Sequence, residues 1–132
     1  MVEEALGMSD QSTAPLLEIR AKNKEQMYRI LIAMNLPGEA RDAIEKAVSL
    51  YRANLQIEPK SGSDRRGLAV ALAALAEMQA KDNHRATGSS RTIGEACELS
   101  SAAIATDPIN EKVKEEGQEI RKSAIRLGHP CP

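Results

Sequence analysis

The residue types best suited to chemistry in this chain are few and scattered. His129-Pro130-Cys131 stands near the C-terminal end, and His84 and Cys97 are the other histidine and cysteine. All four are zinc ligands by type. Zinc takes three or four ligands at compact spacing, however, and His84 lies in a polar stretch while Cys97 lies in a helical run. No metal site is expected from them, and the tail reads as a frayed terminus with incidental residues. Cys97 shares a helical face with Ile93 and Ile104, the setting of a small buried apolar side chain rather than of a nucleophile. Two histidines in loops build no Ser/His/Asp arrangement. Glu111, Glu115, Glu116 and Glu119 look like acid–base pairs, yet they sit among Lys112, Lys114, Arg121 and Lys122, as on the solvated side of an amphipathic helix. "ATGSS" has one glycine and no lysine at P-loop spacing. Arg85, Thr87, Ser89, Ser90 and Arg91 would suit an anion contact or a phosphorylation target, but such a stretch reads first as a flexible connector. The expectation is no enzyme and no cofactor, with a small metal-dependent enzyme as the remote alternative.

The totals say what kind of chain must position these groups. It has 132 residues, 42% of them apolar and 28% charged, the balance of one soluble globular domain. There is no Phe or Trp, and Tyr28 and Tyr51 are the aromatic residues. The core must come from Ala, Leu, Ile, Val and Met, which suits closely approaching helices better than a β-sandwich. A net charge of −1 argues against general attraction to nucleic acid or anionic membrane. The charge is mildly segregated: residues 60–91 carry six basic and three acidic groups, while 92–132 carry five basic and seven acidic. Two cysteines in unlike contexts give no disulfide framework and point to a reducing, cytoplasmic setting. "MVEEALGMSD" lacks the basic and apolar regions of a signal peptide, and no apolar run nears the ~18 residues of a membrane span.

Hydrophobic spacing predicts five helices, over about 14–35, 39–58, 64–81, 93–106 and 108–127. Together they make a single all-helical domain over 14–128, with a flexible leader at 1–13, a polar loop at 82–91 and a tail at 129–132. In the first helix "RAKNKEQ" weakens the pattern and is expected to bend or delay it. "NLPGE" and "EPKSGSD" are breaks. The third helix contains "GLAVALAALA", ten residues without a charge, and should lie centrally with neighbours on most sides. Thr92 and Glu95 have capping-box spacing, and Asp107-Pro108 supplies a cap and first-turn proline for the last helix. That helix has the single stripe Val113, Gly117, Ile120, Ala124, Leu127, suited to closing the end of a stack.

The small-residue rows give the chain a resemblance. Ala96-x3-Ser100-x2-Ala103-x4-Pro108 and, before it, Arg65-x2-Leu68-Ala69-x2-Leu72 follow the second- and first-helix patterns of the tetratricopeptide family. An earlier unit reads Met27-x2-Ile30-Leu31-x2-Met34, then Ala43-x3-Ala47, closing at Pro59. Pro59 and Pro108 are 49 residues apart against the family's ~34, which places the likeness with longer-unit relatives. The resemblance implies an all-α fold of antiparallel helix hairpins stacked as a short right-handed array of about five helices. A plain four- or five-helix bundle is the alternative. It also implies a scaffold or adaptor whose groove holds a protein or peptide partner, with Ser63, Arg66, Val70, Ala73 and Ala74 on the third helix and Lys112 on the last. Arg65, Arg66 and Lys112 would supply charge contacts, which suits an acidic partner segment. A different class of reading is a self-associating structural bundle, in which Met27, Ile30, Leu31 and Met34 meet another copy.

Overall fold

A computed structural model describes residues 13–81 and 86–132. Residues 1–12 of the expected leader at 1–13 and residues 82–85 of the expected loop lie outside the described residues, while Thr13 already belongs to the first helix. Five helices follow in order: α1 (Thr13–Ala33), α2 (Pro37–Ile57), α3 (Gly62–Ala80), α4 (Ala86–Thr106) and α5 (Glu111–Arg126). The described residues contain no strand, so the fold is all-α as expected. Short breaks make neighbours antiparallel. α1 packs on α2, α3 lies between α2 and α4, and α5 rests on α4 and the edge of α3.

The breaks have local causes. α1 runs through "RAKNKEQ" without interruption and ends where Asn35 adopts a φ of 60°, so that Leu36 N–H bonds back to Leu31 O at 2.9 Å. Asn tolerates that left-handed conformation, and Pro37 then opens α2 with its φ already set. Ser61 caps α3, its hydroxyl accepting from Asp64 N–H at 3.3 Å. Gly128, at φ 79°, ends α5 and lets His129 N–H reach Ala124 O at 2.9 Å.

Three expected boundaries are corrected. α4 begins at Ala86, so residues 86–91 are helix rather than polar loop. Ser89 is buried there and its hydroxyl donates to Ala76 O of α3 at 3.0 Å, a tertiary anchor that carries the helix through polar sequence. Thr92 and Glu95 form no capping box, since Thr92 Oγ1 donates to Gly88 O within the helix and Glu95 is taken by Arg52 of α2. α5 is capped by Asn110 rather than Asp107: Asn110 Oδ1 accepts from Lys112 N–H and Val113 N–H at 3.0 and 3.2 Å. Asp107 holds that cap in place by accepting from Asn110 Nδ2 at 3.0 Å.

The core forms on α3, whose Leu68, Ala69, Ala71, Leu72, Ala73, Leu75, Ala76 and Met78 are all buried. Ile44, Ala47 and Tyr51 reach it from α2, Ile93 and Ala96 from α4, and Ile120 and Ala124 from α5. Small residues set how near the helices come. A Cβ on Gly117 of α5 would stand 2.8 Å from Ile104 Cδ1 and 3.0 Å from Ser100 Oγ of α4. One on Gly67 would overlap the Tyr51 ring, with the hydroxyl oxygen 2.7 Å away.

The cysteines overturn the sequence expectation. Cys97 on α4 is buried as expected, yet it is disulfide-bonded to Cys131, with the Cα atoms 5.5 Å apart. The Gly128 reversal brings the tail back over α4, so residues 129–132 are tied down rather than frayed, and no thiol remains for metal ligation.

Candidate functional site

The seven groove residues expected on α3 and α5 divide between two recesses. The larger, about 470 Å³, opens between α1, α3 and α5. Its floor is apolar, made by Val70, Ala73 and Ala74 of α3 and Ile120 of α5, and Tyr28 closes the α1 side. Val70, Ala73, Ala74 and Lys112 of the expected set meet here. Alanine side chains on α3 leave the space that α5 does not fill.

Ser63, Arg65 and Arg66 line a second recess of about 230 Å³, walled by Leu99, Ala103 and Val113 of α4 and α5. An ion pair divides the two spaces. Arg66 Nε donates to Glu116 Oε1 at 2.9 Å, both side chains about one-quarter exposed, and Glu116 lines the larger recess. Arg66 is therefore engaged, not a solvated charge awaiting a partner. Arg65 donates to Pro59 O at 2.6 Å and Ser63 to Glu18 Oε1 at 2.7 Å, so both serve the α2–α3 turn and the seat of α1. The Ser63 hydrogen bond holds the Glu18 carboxyl below its ordinary range.

Charges on the larger rim were only partly foreseen. Glu77, Glu115, Glu116 and Glu119 face it together with Arg29, Lys112 and Arg126. Arg126 grips Glu77 with two hydrogen bonds, at 2.8 and 3.0 Å. Sequence spacing assigned the glutamates of α5 to a solvated side. Glu116 departs from that because it shares the α5 edge that turns toward α3, where Arg66 meets it. The phase of Val113 and Ile120, three residues before and four after, is the signal that could have found it.

A polar cluster lies at the other end of the interface between α1, α2 and α3. Asn54 and Asp64 are both fully buried, and Asn54 Nδ2 donates to Asp64 Oδ2. The second oxygen of each, Asn54 Oδ1 and Asp64 Oδ1, is buried without a hydrogen-bond partner. Tyr51 stands beside them and bonds Glu25 of α1. Burial pushes the Glu25 carboxyl above its ordinary pKa, partly offset by that hydrogen bond; burial, with Glu25 and Asp64 nearby, pushes the Tyr51 hydroxyl up strongly. No three ligating side chains converge on a metal-sized space among the described residues.

Of the expected self-association residues, Met27, Ile30 and Leu31 lie on α1 and Met34 in the turn just after it. Met27, Ile30 and Met34 are 44%, 58% and 61% exposed, while Leu31 is half-buried against α2. No described helix is long and apolar enough to cross a membrane. Compared with known proteins, the chain matches no family model, no curated protein and no solved structure.

Proposed function

We propose that the chain is a non-enzymatic interaction module, a tetratricopeptide-like scaffold or adaptor that receives a partner segment in the recess between α1, α3 and α5. The observation that carries this reading is the recess itself: three alternate helices share one open space with an apolar floor and a charged rim. Such a site suits an extended or helical segment whose apolar side chains meet the floor while its polar groups reach the rim. The partner's charge is revised. With four carboxylates against three cations around the opening, and Arg66 bound to Glu116, an acidic segment meets more repulsion than attraction. A segment with basic groups opposite Glu115 and Glu119 fits better.

The expectation of a reducing setting, one of the grounds for a cytoplasmic location, rested on two unpaired thiols. Their pairing removes that support and favours an oxidising compartment, where such a bridge persists. The competing reading, a self-associating structural bundle, draws on the exposed side chains of α1.

The test is capture of a binding protein from an extract of the source cells, comparing wild type with Ala74→Arg, which fills the recess, and Lys112→Glu on its rim. A protein retained by wild type and at least tenfold depleted on Ala74→Arg, with helical circular dichroism unchanged, supports the module. Retention unaltered by both substitutions overturns it.

A further inference from the structure

Helix α1 supplies one wall of the recess, through Tyr28 and Arg29, yet it rests almost wholly on α2 and touches α3 only slightly. Of its described side chains, Ala21 alone is fully buried. Glu18, Ala21, Glu25 and Tyr28 recur at spacings of three, four and three, so two carboxylates share the inner side with the one buried alanine.

The two carboxylates are held in opposite ways. Glu18 Oε1 accepts from Ser63 Oγ of α3 at 2.7 Å and pairs with Lys22 at 3.3 Å. Glu25 bonds Tyr51 of α2, but its Oε1 is buried with no hydrogen-bond partner. A buried carboxylate oxygen left unpaired penalises the charged form. Lys22 and Arg29 of α1 favour the ionised form of Glu25, and Glu116 of α5 opposes it. On α3, Arg66 is engaged by Glu116, while Asp64 stands near Tyr51 and accepts from the buried Asn54.

The pH windows of the two groups therefore meet. The Ser63 hydrogen bond holds Glu18 below the ordinary value of 4.5. Its contribution to the seat of α1 is present above that value and lost as pH falls through the folded one. Burial lifts Glu25 above 4.5, so its contribution is complete below that value and lost as pH rises through the folded one. Around pH 4.5 both are close to full, and α1 is held best there.

We propose that α1 is a pH-gated wall of the recess, seated while Glu25 is protonated and loosened from α2 when Glu25 ionises with no partner for its inner oxygen. Tyr28 moves with α1, so the recess is complete in mildly acidic solution and loses one side more often toward neutral pH. The consequence for the recess rests on the interaction reading above; the motion of α1 does not.

Native-state hydrogen exchange on the full oxidised chain, without any ligand, tests it from pH 4.5 to 7.5. Exchange rates are divided by their intrinsic values, and opening of α1 is compared with that of α3. The expected result is a rise in α1 opening relative to α3 of about threefold or more across that range, absent in Glu25→Gln. In wild type, carbon-detected titration of the Glu25 carboxyl should show a midpoint above 4.5 that coincides with the rise. A flat ratio of α1 to α3 opening overturns the proposal, as does a rise that persists in Glu25→Gln. So does a Glu25 midpoint at or below 4.5, a result that stands whether or not the variant folds. No partner takes part in these measurements, so their failure leaves the interaction reading intact, and failure to capture a partner leaves the gate intact.

Discussion

Opposite pH dependences meet at single residues of the α1 seat and the α2–α4 contact. Glu25 has a folded pKa above its unfolded one because burial penalises its charge. Its contribution to stability is complete below the unfolded value near 4.5 and is lost as pH rises through the folded value. Glu95 runs the other way. Two hydrogen bonds of 2.8 Å from Arg52 hold its carboxyl low, so its contribution is present above the unfolded pKa and lost as pH falls through the folded one. The Arg52–Glu95 pair is substantially exposed and amounts to about 1 kcal/mol or less. Glu25→Gln should therefore raise the unfolding temperature at pH 7 by about 3–5 °C, corresponding to about 1 kcal/mol in a chain of this size. At pH 4 the gain should vanish, and thermal melts of the two proteins across that range decide it. Asn54 shows how much of this was readable. Helical spacing places it on the same side of α2 as Ala47 and Tyr51, whereas its pairing with Asp64 has no local signal, because Asp64 stands where the spacing predicts the start of the third helix. Ser61, three residues before Asp64, takes the capping role and frees the carboxylate to turn inward.

Among the elements, five helices and the central place of α3 were legible because apolar residues recur at helical period and α3 lacks charge on nearly all sides. The start of α4 was not. Polar residues Gly88, Ser89 and Thr92 favour a loop by local preference, and a hydroxyl bonded to another helix overrides it. The disulfide was likewise hidden, since it depends on where the chain turns after α5. Gly128 immediately beyond the last stripe residue marks that reversal, but not the distance to Cys97. The bridge spans 34 residues and is expected to stabilise the fold by about 4 kcal/mol through restriction of the unfolded chain. Cys131→Ser, or a reducing agent on wild type, should lower the denaturant midpoint accordingly while leaving helical content intact. The two treatments together should add nothing to either alone. A midpoint indifferent to reductant would mean that the thiols are unpaired in solution.

For the molecule as a whole, cohesion is uneven. α3 is surrounded by α2, α4 and α5, whereas α1 touches α3 only slightly and depends on α2. Its seat includes a buried carboxylate oxygen without a partner, and its Ile19, Met27 and Ile30 stay exposed rather than joining the core. Native-state hydrogen exchange should show α1 opening first, with amides of α3 and the adjoining part of α4 protected up to global unfolding. Equal protection of α1 and α3 would refute that order. The apolar floor of the recess was legible for the same reason as the helices: the register of α3 puts Val70, Ala73 and Ala74 on one side. Its charge was not, because ion pairs such as Arg66–Glu116 join residues fifty positions apart and are set by how α3 and α5 cross.

The link between α4 and the tail also makes the chain a closed ring from Cys97 to Cys131, with all of α5 inside it. The exposed turn at Asp107–Ile109 lies within that ring, at the kind of site proteases nick first. A single cut there would leave both pieces of the molecule covalently joined, and α5 would stay on a tether beside its own binding surface. Cleavage would become loss only where something reduced the bridge.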